Sequence, residues 1–342
     1  MITKLRLQNW KSFEDSTLYI DSLSILIGTN ASGKSNVLDA FAFLRAIGEG
    51  KRLVDAIQAV RGGEEWIVRR GEKGFCISLQ IEEEQTYLVD LRVQKNGDTF
   101  QYGSCDIHVK GEEKLKEAMP RQFGVTSYEM TWNVYGQSEA SLDLLPLIYR
   151  NFRNVFILDP MPARMRDYCR VSKELKSDGS NVAGVLCALG KSRQHKVEAL
   201  LSNYVRPLPE RDINKVISVP IGLTKSDAML YCYEDWNPEN PVDARGMSDG
   251  TLRFIAIVVA LLTAEPHSLL LIEEVDNGLH PSRAKELVDM LKQLSSERQV
   301  DVLCTTHNPV LLDELGNRMI PFVSYVTRDE KGNSRVNLLE DK

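Results

Sequence analysis

Residues 28–35 read Gly28-Thr29-Asn30-Ala31-Ser32-Gly33-Lys34-Ser35, the pattern G-x-x-x-x-G-K-[ST] of a phosphate-binding loop, the P-loop. The flanks supply the context this pattern needs. Leu23-Ser24-Ile25-Leu26-Ile27 reads as a buried strand, and residues 36–45 read as a helix with apolar side chains at 37, 38, 41 and 44. Glycines let the backbone wrap an anion with its N–H groups pointing inward, and the helix N-terminus adds its positive end. Lys34 is expected to reach the β- and γ-phosphates and Ser35 to ligate Mg²⁺. The stretch from Gly28 to Asn36 is expected to line the nucleotide. The alternative is a glycine turn that binds nothing, and the correct flanks argue against it.

The bulk of the chain is consistent with a large α/β unit. It has 342 residues, 43% hydrophobic and 26% charged, enough for a sizeable core. A formal charge of −6 argues against a histone-like wrapper of nucleic acid, though it leaves room for a local basic groove. Six cysteines at 76, 105, 169, 187, 232 and 304 form no C-x-x-C pair. They read as buried thiols of a reducing compartment, neither a disulfide frame nor a zinc site. No signal-peptide core opens the chain, and the longest apolar run, 254–263, is too short to span a bilayer. A cytoplasmic protein with no membrane segment is the expectation.

Working outward, residues 2–9 and 17–20 read as two short strands, a small sheet ahead of the P-loop. Trp10 or Phe13 could touch a base there, with core packing as the alternative. Residues 75–81 and 86–93 alternate with period two, and Lys95-Asn96-Gly97-Asp98 carries a hairpin signature. An antiparallel β lobe is therefore expected over 66–135. Residues 114–119 read as helical, 152–158 as a strand, and a helical and mixed region is expected over 140–240, with 236–241 as a Pro/Asn-rich loop. The remainder, 241–342, holds a buried helix from 254, an apolar strand Leu269-Leu270-Leu271-Ile272 ending in Glu273-Glu274, a helix opened by Pro281, a strand 300–304 leading to Thr305-Thr306-His307, and a final hairpin.

Two further clusters stand out. Between 150 and 176 seven Lys/Arg face three Asp/Glu, a local basic excess that could meet a nucleic-acid backbone or simply be a solvated face. No aromatic residues interleave to stack on bases. The paired Glu273 and Glu274 follow four apolar residues, which argues against an ordinary solvated strand end. Glu273 is expected to hold Mg²⁺, and Glu274 to act as the general base that orients water.

Taken in order, the P-loop, Ser248-Asp249-Gly250, the strand ending in Glu273-Glu274, and Thr305-Thr306-His307 resemble the ABC-type ATPase head shared by SMC, RecF and OLD-family proteins. The likeness is to the compact ABC-type/AAA "predicted ATPase" branch, which opens with Asn-x-Lys-Ser-Phe (Asn9 to Phe13). That branch also carries Asp-Gly-x-Asn (Asp178 to Asn181), Ser-Asp-Gly-Thr-Leu-Arg (Ser248 to Arg253) and Ile-Glu-Glu-x-x-x-Gly-Leu-His-Pro (Ile272 to Pro281). Val275 departs from the proline usual there. The resemblance implies a P-loop NTPase of ABC/SMC-head type: a mixed central sheet with helices and an antiparallel lobe. It implies an Mg²⁺-dependent ATPase with His307 as the switch residue at the γ-phosphate. It further implies that Ser248, Asp249 and Gly250 complete the site of a second subunit, giving a homodimer or higher oligomer around ATP. His280 and Asp276 fall in the loop that would cross that interface. No glutamine stands where the Q-loop is sought, at Asp159. His108, His195 and His267 read as structural.

Spacing narrows the relatives. Ser35 and Ser248 are too far apart for a transporter subunit, and no heptad arm separates them. The stretch after His307 is too short for the nuclease domain of OLD nucleases. The resulting expectation is an ATPase that regulates a separately encoded effector, in anti-phage defence or DNA maintenance. The alternatives are a RecF-like clamp that uses the basic residues 150–176 on nucleic acid, and an ATP-bound assembly scaffold with slow turnover.

Overall fold

The computed structural model describes residues 1–110, 121–125, 130–135, 141–207, 213–279, 283–308, 311–313 and 316–341. Strands β1 (Ile2–Trp10), β2 (Phe13–Tyr19) and β3 (Leu23–Ile27) lead into α1 (Lys34–Gly48), then the short α2 (Leu53–Gln58) and α3 (Gly63–Trp66). A run of strands follows: β4 (Gly74–Glu82), β5 (Thr86–Asn96), β6 (Thr99–Val109), β7 (Arg121–Val125) and β8 (Met130–Tyr135). Next come α4 (Ser141–Arg153), β9 (Val155–Leu158), α5 (Pro162–Met165), β10 (Cys169–Arg170), α6 (Val182–Ala188) and α7 (Lys191–Val205). The chain continues through β11 (Ile213–Ile221), β12 (Asp227–Glu234), β13 (Asn237–Asp243), α8 (Asp249–Thr263), β14 (Leu269–Ile272), α9 (Ala284–Arg298), β15 (Asp301–Thr306), β16 (Val323–Arg328) and β17 (Ser334–Leu338).

Among the described residues, thirteen strands form one mixed sheet in the order β7-β8-β6-β5-β4-β1-β2-β17-β16-β3-β15-β14-β9. From β16 to β9 the neighbours run parallel, so β3, β15, β14 and β9 end at one edge. Crevices at the carboxyl ends of parallel strands are where such sheets bind ligands. These strands are buried on both faces, and their side chains alternate between two cores. Leu270, Ile272, Val302 and Cys304 enter the core beneath α8 and α9. Leu269, Leu271 and Leu303 enter the one with α1 and the antiparallel wing. Helix α8 is buried along its length from Gly250 to Leu262, which explains its lack of a polar face.

Several expectations are corrected. The first two strands do not form a small sheet of their own; β1 pairs with both β2 and β4, so the strands of the expected antiparallel lobe, which are parallel where β6 meets β8, extend the main sheet as one wing. The separate small sheet is instead β10-β12-β11 with β13 on β12. Residues 236–241, expected as a loop, lie largely in β13, where Pro238 and Pro241 are tolerated because the strand is an edge. Phe152 and Arg153 end α4, so the strand there begins only at Val155. The helix expected at 114–119, together with His280 and Pro281, lies outside the described residues. No helix among the described residues is long and apolar enough to cross a membrane.

Candidate functional site

The P-loop joins β3 to α1 as its residue pattern requires. Gly33 precedes the helix at φ 119°, a left-handed value costly for any side chain, and a Cβ there would lie 2.6 Å from Ser334 Oγ. The loop is pinned from outside. Ser334 Oγ donates to the Ser32 carbonyl at 2.6 Å and lies 2.7 Å from Ser12 Oγ. Asn36 Nδ2 donates to Ser12 Oγ at 2.8 Å, and the indole N–H of Trp10 donates to the Asn36 carbonyl at 2.7 Å. Trp10 and Phe13 are fully buried, so neither can face a base; Trp10 packs edge-on against Phe75. Inside the loop, Lys34 Nζ donates to the carbonyls of Gly28 (2.6 Å) and Thr29 (3.0 Å), contacts that phosphate oxygens can replace. Burial pulls the Lys34 ammonium below its usual pKa, partly offset by the charges of Glu274 and Glu273. The buried Ser32 hydroxyl has no partner, an unused hydrogen-bonding group within the loop.

The second carboxylate element arrives on β14. Ser35 Oγ donates to Glu273 Oε1 at 2.5 Å, so residues 238 positions apart in sequence meet at the mouth of the P-loop. Glu273 is also gripped by Arg61, whose two terminal nitrogens each lie 3.1 Å from a different carboxylate oxygen. The Arg61 Nε donates to Asp39 on α1 at 2.9 Å. Asp39 is buried and ion-paired with Lys11 as well. Burial opposes the Arg61 charge, but its bonds to Glu273 and Asp39 outweigh that and raise its pKa. Two hard oxygen donors, the Ser35 hydroxyl and the Glu273 carboxylate, suit Mg²⁺, which is commonly held by one or two protein oxygens plus substrate phosphates. Among the described residues no group of three or more His, Cys, Asp or Glu could hold a metal without such help.

Glu274 follows in a strained turn. Its φ is 48°, unusual for a residue with a side chain, and its N–H donates to Thr305 Oγ1 at 2.9 Å. Thr305 is thus a fastener between the ends of β14 and β15, a role its proximity to His307 in sequence did not announce. His307 Nδ1 stands 3.9 Å from Glu274 Oε1, and Asn277 Nδ2 donates to Glu274 Oε2 at 3.1 Å. Beneath this turn Arg253 of α8 donates to the Glu274 carbonyl (3.3 Å) and to Asp159 (3.4 Å). Burial, with the nearby Glu273 charge, pushes the Asp159 carboxyl up. The end of β9, where a Q-loop residue was sought, therefore presents a carboxylate to this edge.

Ser248 caps α8, its hydroxyl accepting from Thr251 N–H at 3.1 Å. Asp249 is held by Arg166 Nη2 at 2.5 Å, and the same guanidinium donates to the carbonyls of Ala244, Arg245 and Met247. Ser248 lines a cavity of ≈ 270 Å³ with Cys232, Glu234 and Met247, whereas Ser35 and Asn36 line another of ≈ 590 Å³. The structure thus groups Lys34, Ser35, Glu273, Glu274 and His307, and leaves Ser248 in a different cavity. Asp276 keeps a buried carboxylate oxygen without a partner. In the basic region, Arg150, Arg164, Arg166 and Arg170 pair with Glu83, Asp178, Asp249 and Asp227 respectively. In three of these pairs the arginine, Arg150, Arg164 or Arg170, stays largely exposed.

Sequence reasoning missed Arg61 and Asp39, and read Lys11 only as part of the Asn-x-Lys-Ser-Phe turn. The available signals were a charged residue on the apolar side of α1 and an Arg-Gly-Gly turn at 61–63.

Two family descriptions match the chain. Residues 1–119 match "AAA ATPase domain", and residues 188–313 match "AAA domain, putative AbiEii toxin, Type IV TA system". No curated protein matches. Among solved structures, an SMC head bound to the C-terminal winged-helix domain of ScpA superposes with TM-score 0.62 at 14% identity, covering 98% of this chain and 97% of that one. The SMC head domain from Thermotoga maritima gives 0.52 at 14%, covering 98% of each chain. An SMC head with an extended coiled coil, bound to the C-terminal domain of ScpA derived from Pyrococcus furiosus, gives 0.56 at 15%, covering 99% and 97%. The chain has the SMC-head fold, and two stretches of it match AAA ATPase domain families.

Proposed function

We propose that this protein binds and hydrolyses ATP with Mg²⁺, closes with a second copy around two nucleotides, and through that closure regulates a separately encoded partner protein. The observation that carries this reading is the 2.5 Å bond between Ser35 and Glu273 beside Lys34. It puts the loop that grips phosphate and the strand end that carries paired carboxylates at one point.

In this reading the backbone N–H groups of residues 29–35 and the Lys34 ammonium bind the β- and γ-phosphates. Lys34 exchanges two carbonyl partners for phosphate oxygens. Ser35 and Glu273 would hold Mg²⁺, which would supply charge neutralisation to the phosphates. Glu274 takes a proton from the attacking water on a carboxylate oxygen, and the turn fastened by Thr305 sets its direction. His307, half exposed beside Glu274, contacts the γ-phosphate. Ser248 and the N–H groups opening α8 dock on the γ-phosphate held by the other subunit. Two of the SMC heads of like fold are bound to domains of ScpA, a precedent for a partner protein here.

Lys34→Ala tests the reading directly. Calorimetry should show ATP affinity falling by at least 100-fold, since a charge-assisted phosphate contact and the loop's own tether go together. Unchanged affinity would show that the P-loop is not the nucleotide site.

A further inference from the structure

The cavity of ≈ 590 Å³ beside the P-loop is lined by Ser35 and Asn36 on one side of the loop, and by Trp66, Arg70, Arg328 and Lys331. Its volume is typical of a small-molecule site. Asp39 is the one carboxylate among its described lining residues, so the cavity favours an anion. A polyanion alone accounts for the cations but leaves an indole unexplained. Trp66 is 46% exposed in this charged setting, and the Arg70 guanidinium lies over its ring, 4.7 Å from the centroid. The backbone makes room for that ring: Gly62 has φ 80°, and a Cβ there would come within 2.9 Å of Trp66 Cβ and Cδ1.

The pair is also fixed to the P-loop. Lys11 N–H donates to the Ile67 carbonyl at 3.0 Å, and Arg69 N–H to the Asn9 carbonyl at 2.8 Å, tying residues 67–69 to the turn after β1. That turn includes Ser12, which accepts from Asn36. The segment carrying Trp66 and Arg70 is therefore held against the loop that would grip the triphosphate.

We propose that the Trp66–Arg70 pair is the platform on which the base of the bound nucleoside triphosphate stacks, with Arg328 and Lys331 facing the ribose and α-phosphate end. This rests on the P-loop reading and adds to it the group that recognises the nucleoside. A stacked base covers an exposed indole face and adds a cation–π layer, an arrangement worth about 5- to 150-fold in affinity per base.

The test compares ATP with inorganic tripolyphosphate, which has the phosphates without the nucleoside. It is run in a Trp236→Phe background, because Trp236 is the other exposed indole while Trp10 and Trp132 are fully buried. ATP should change an emission component that is missing from the Trp66→Phe protein, and tripolyphosphate should not. Trp66→Ala should lower ATP affinity about ten-fold or more, leave tripolyphosphate affinity within two-fold, and so erase the preference between them. Trp66→Phe should restore most of that preference, which separates stacking from a folding defect. Equal effects of Trp66→Ala on both ligands, or emission indifferent to ATP while ATP still binds through Lys34, would overturn the platform and leave the P-loop reading intact. Failure of the unaltered protein to bind either ligand would overturn both.

Discussion

The P-loop and the serine loop at the start of α8 are both poised for anions, yet they differ in how complete they are. Around the P-loop, partners come from four places in the chain: Ser35 meets Glu273, Asn36 meets Ser12, Ser32 meets Ser334, and Arg61 ties Glu273 to α1. Around Ser248 contacts come from its own helix and from Arg166, 83 positions from Asp249. Its hydroxyl caps its own helix, and Asp249 is steadied by Arg166. The two loops line separate cavities. A site that is densely cross-linked within one chain needs no second copy to hold a nucleotide. A helix N-terminus set apart from it has an obvious use only if something else brings it an anion. In the proposed reading the difference makes binding and closure separable steps, carried by different residues.

The sharpest way to break that separation is Glu274→Gln. Removing the base while keeping the side chain's shape should lower the hydrolysis rate by about 10²–10⁴-fold. ATP affinity should stay within a few-fold, because Glu274 touches Asn277 and faces His307, whereas the binding contacts belong to residues 28–35 and Glu273. Phosphate release and calorimetry on one preparation decide it. A rate near that of the unaltered protein would put the base elsewhere, with Asp159, whose carboxylate is bonded by the arginine that holds the Glu274 carbonyl, the next candidate.

The serine loop gives the next test. Asp caps a helix about as well as Ser, so Ser248→Asp should keep the fold while setting a negative charge against any incoming phosphate. A single chain should still bind ATP normally. ATP-driven dimerisation, followed by sedimentation in the Glu274→Gln background, should be lost. Mixing Lys34→Ala with Ser248→Asp protein should then restore up to about a quarter of normal hydrolysis, since a mixed pair holds one intact composite site. No recovery on mixing would place Ser248 outside the site of the sister chain.

The parts legible in the sequence are those whose chemistry is contiguous. The P-loop carries its strand, glycines and helix in one run, and Glu273-Glu274 carries its apolar strand directly ahead. Arg61 was not legible, because its partner lies 212 residues away and nothing in the local pattern marks the meeting. Asp39 hides among the apolar residues of α1 for the same reason. Strand β13 reads as a loop because prolines and asparagines dominate it, and only its place at a sheet edge makes that composition workable. Helix α4 was masked by Pro146 within it. The wing's continuity with the main sheet depends on β1 pairing with β4, a register that no local pattern encodes.

The smallest effect comes from the far end of a strand that serves the site. β15 ends in Thr305-Thr306 beside Glu274, but it begins at Asp301, which is only 6% exposed. Burial, with the charge of Asp21, pushes the Asp301 carboxyl up to about 6, partly offset by the N-terminal ammonium and His267. Its pKa in the unfolded chain is about 3.9. Between those values the unfolded chain loses the proton first and the folded protein retains it. Folding stability therefore falls as pH rises from about 4 to about 6, and the whole cost is present above that. The cost is at most about 3 kcal/mol, from roughly two units at 1.36 kcal/mol each. Asp301→Asn removes the charge, so it should stabilise the protein by about 1–3 kcal/mol in urea unfolding at pH 7.5 and by little at pH 4. ATP affinity and hydrolysis should not change, because the substitution lies at the opposite end of β15 from His307. A gain equal at both pH values would mean that packing, not ionisation, sets the effect; a loss of hydrolysis would mean that the two ends of β15 are coupled, contrary to the division of labour between them.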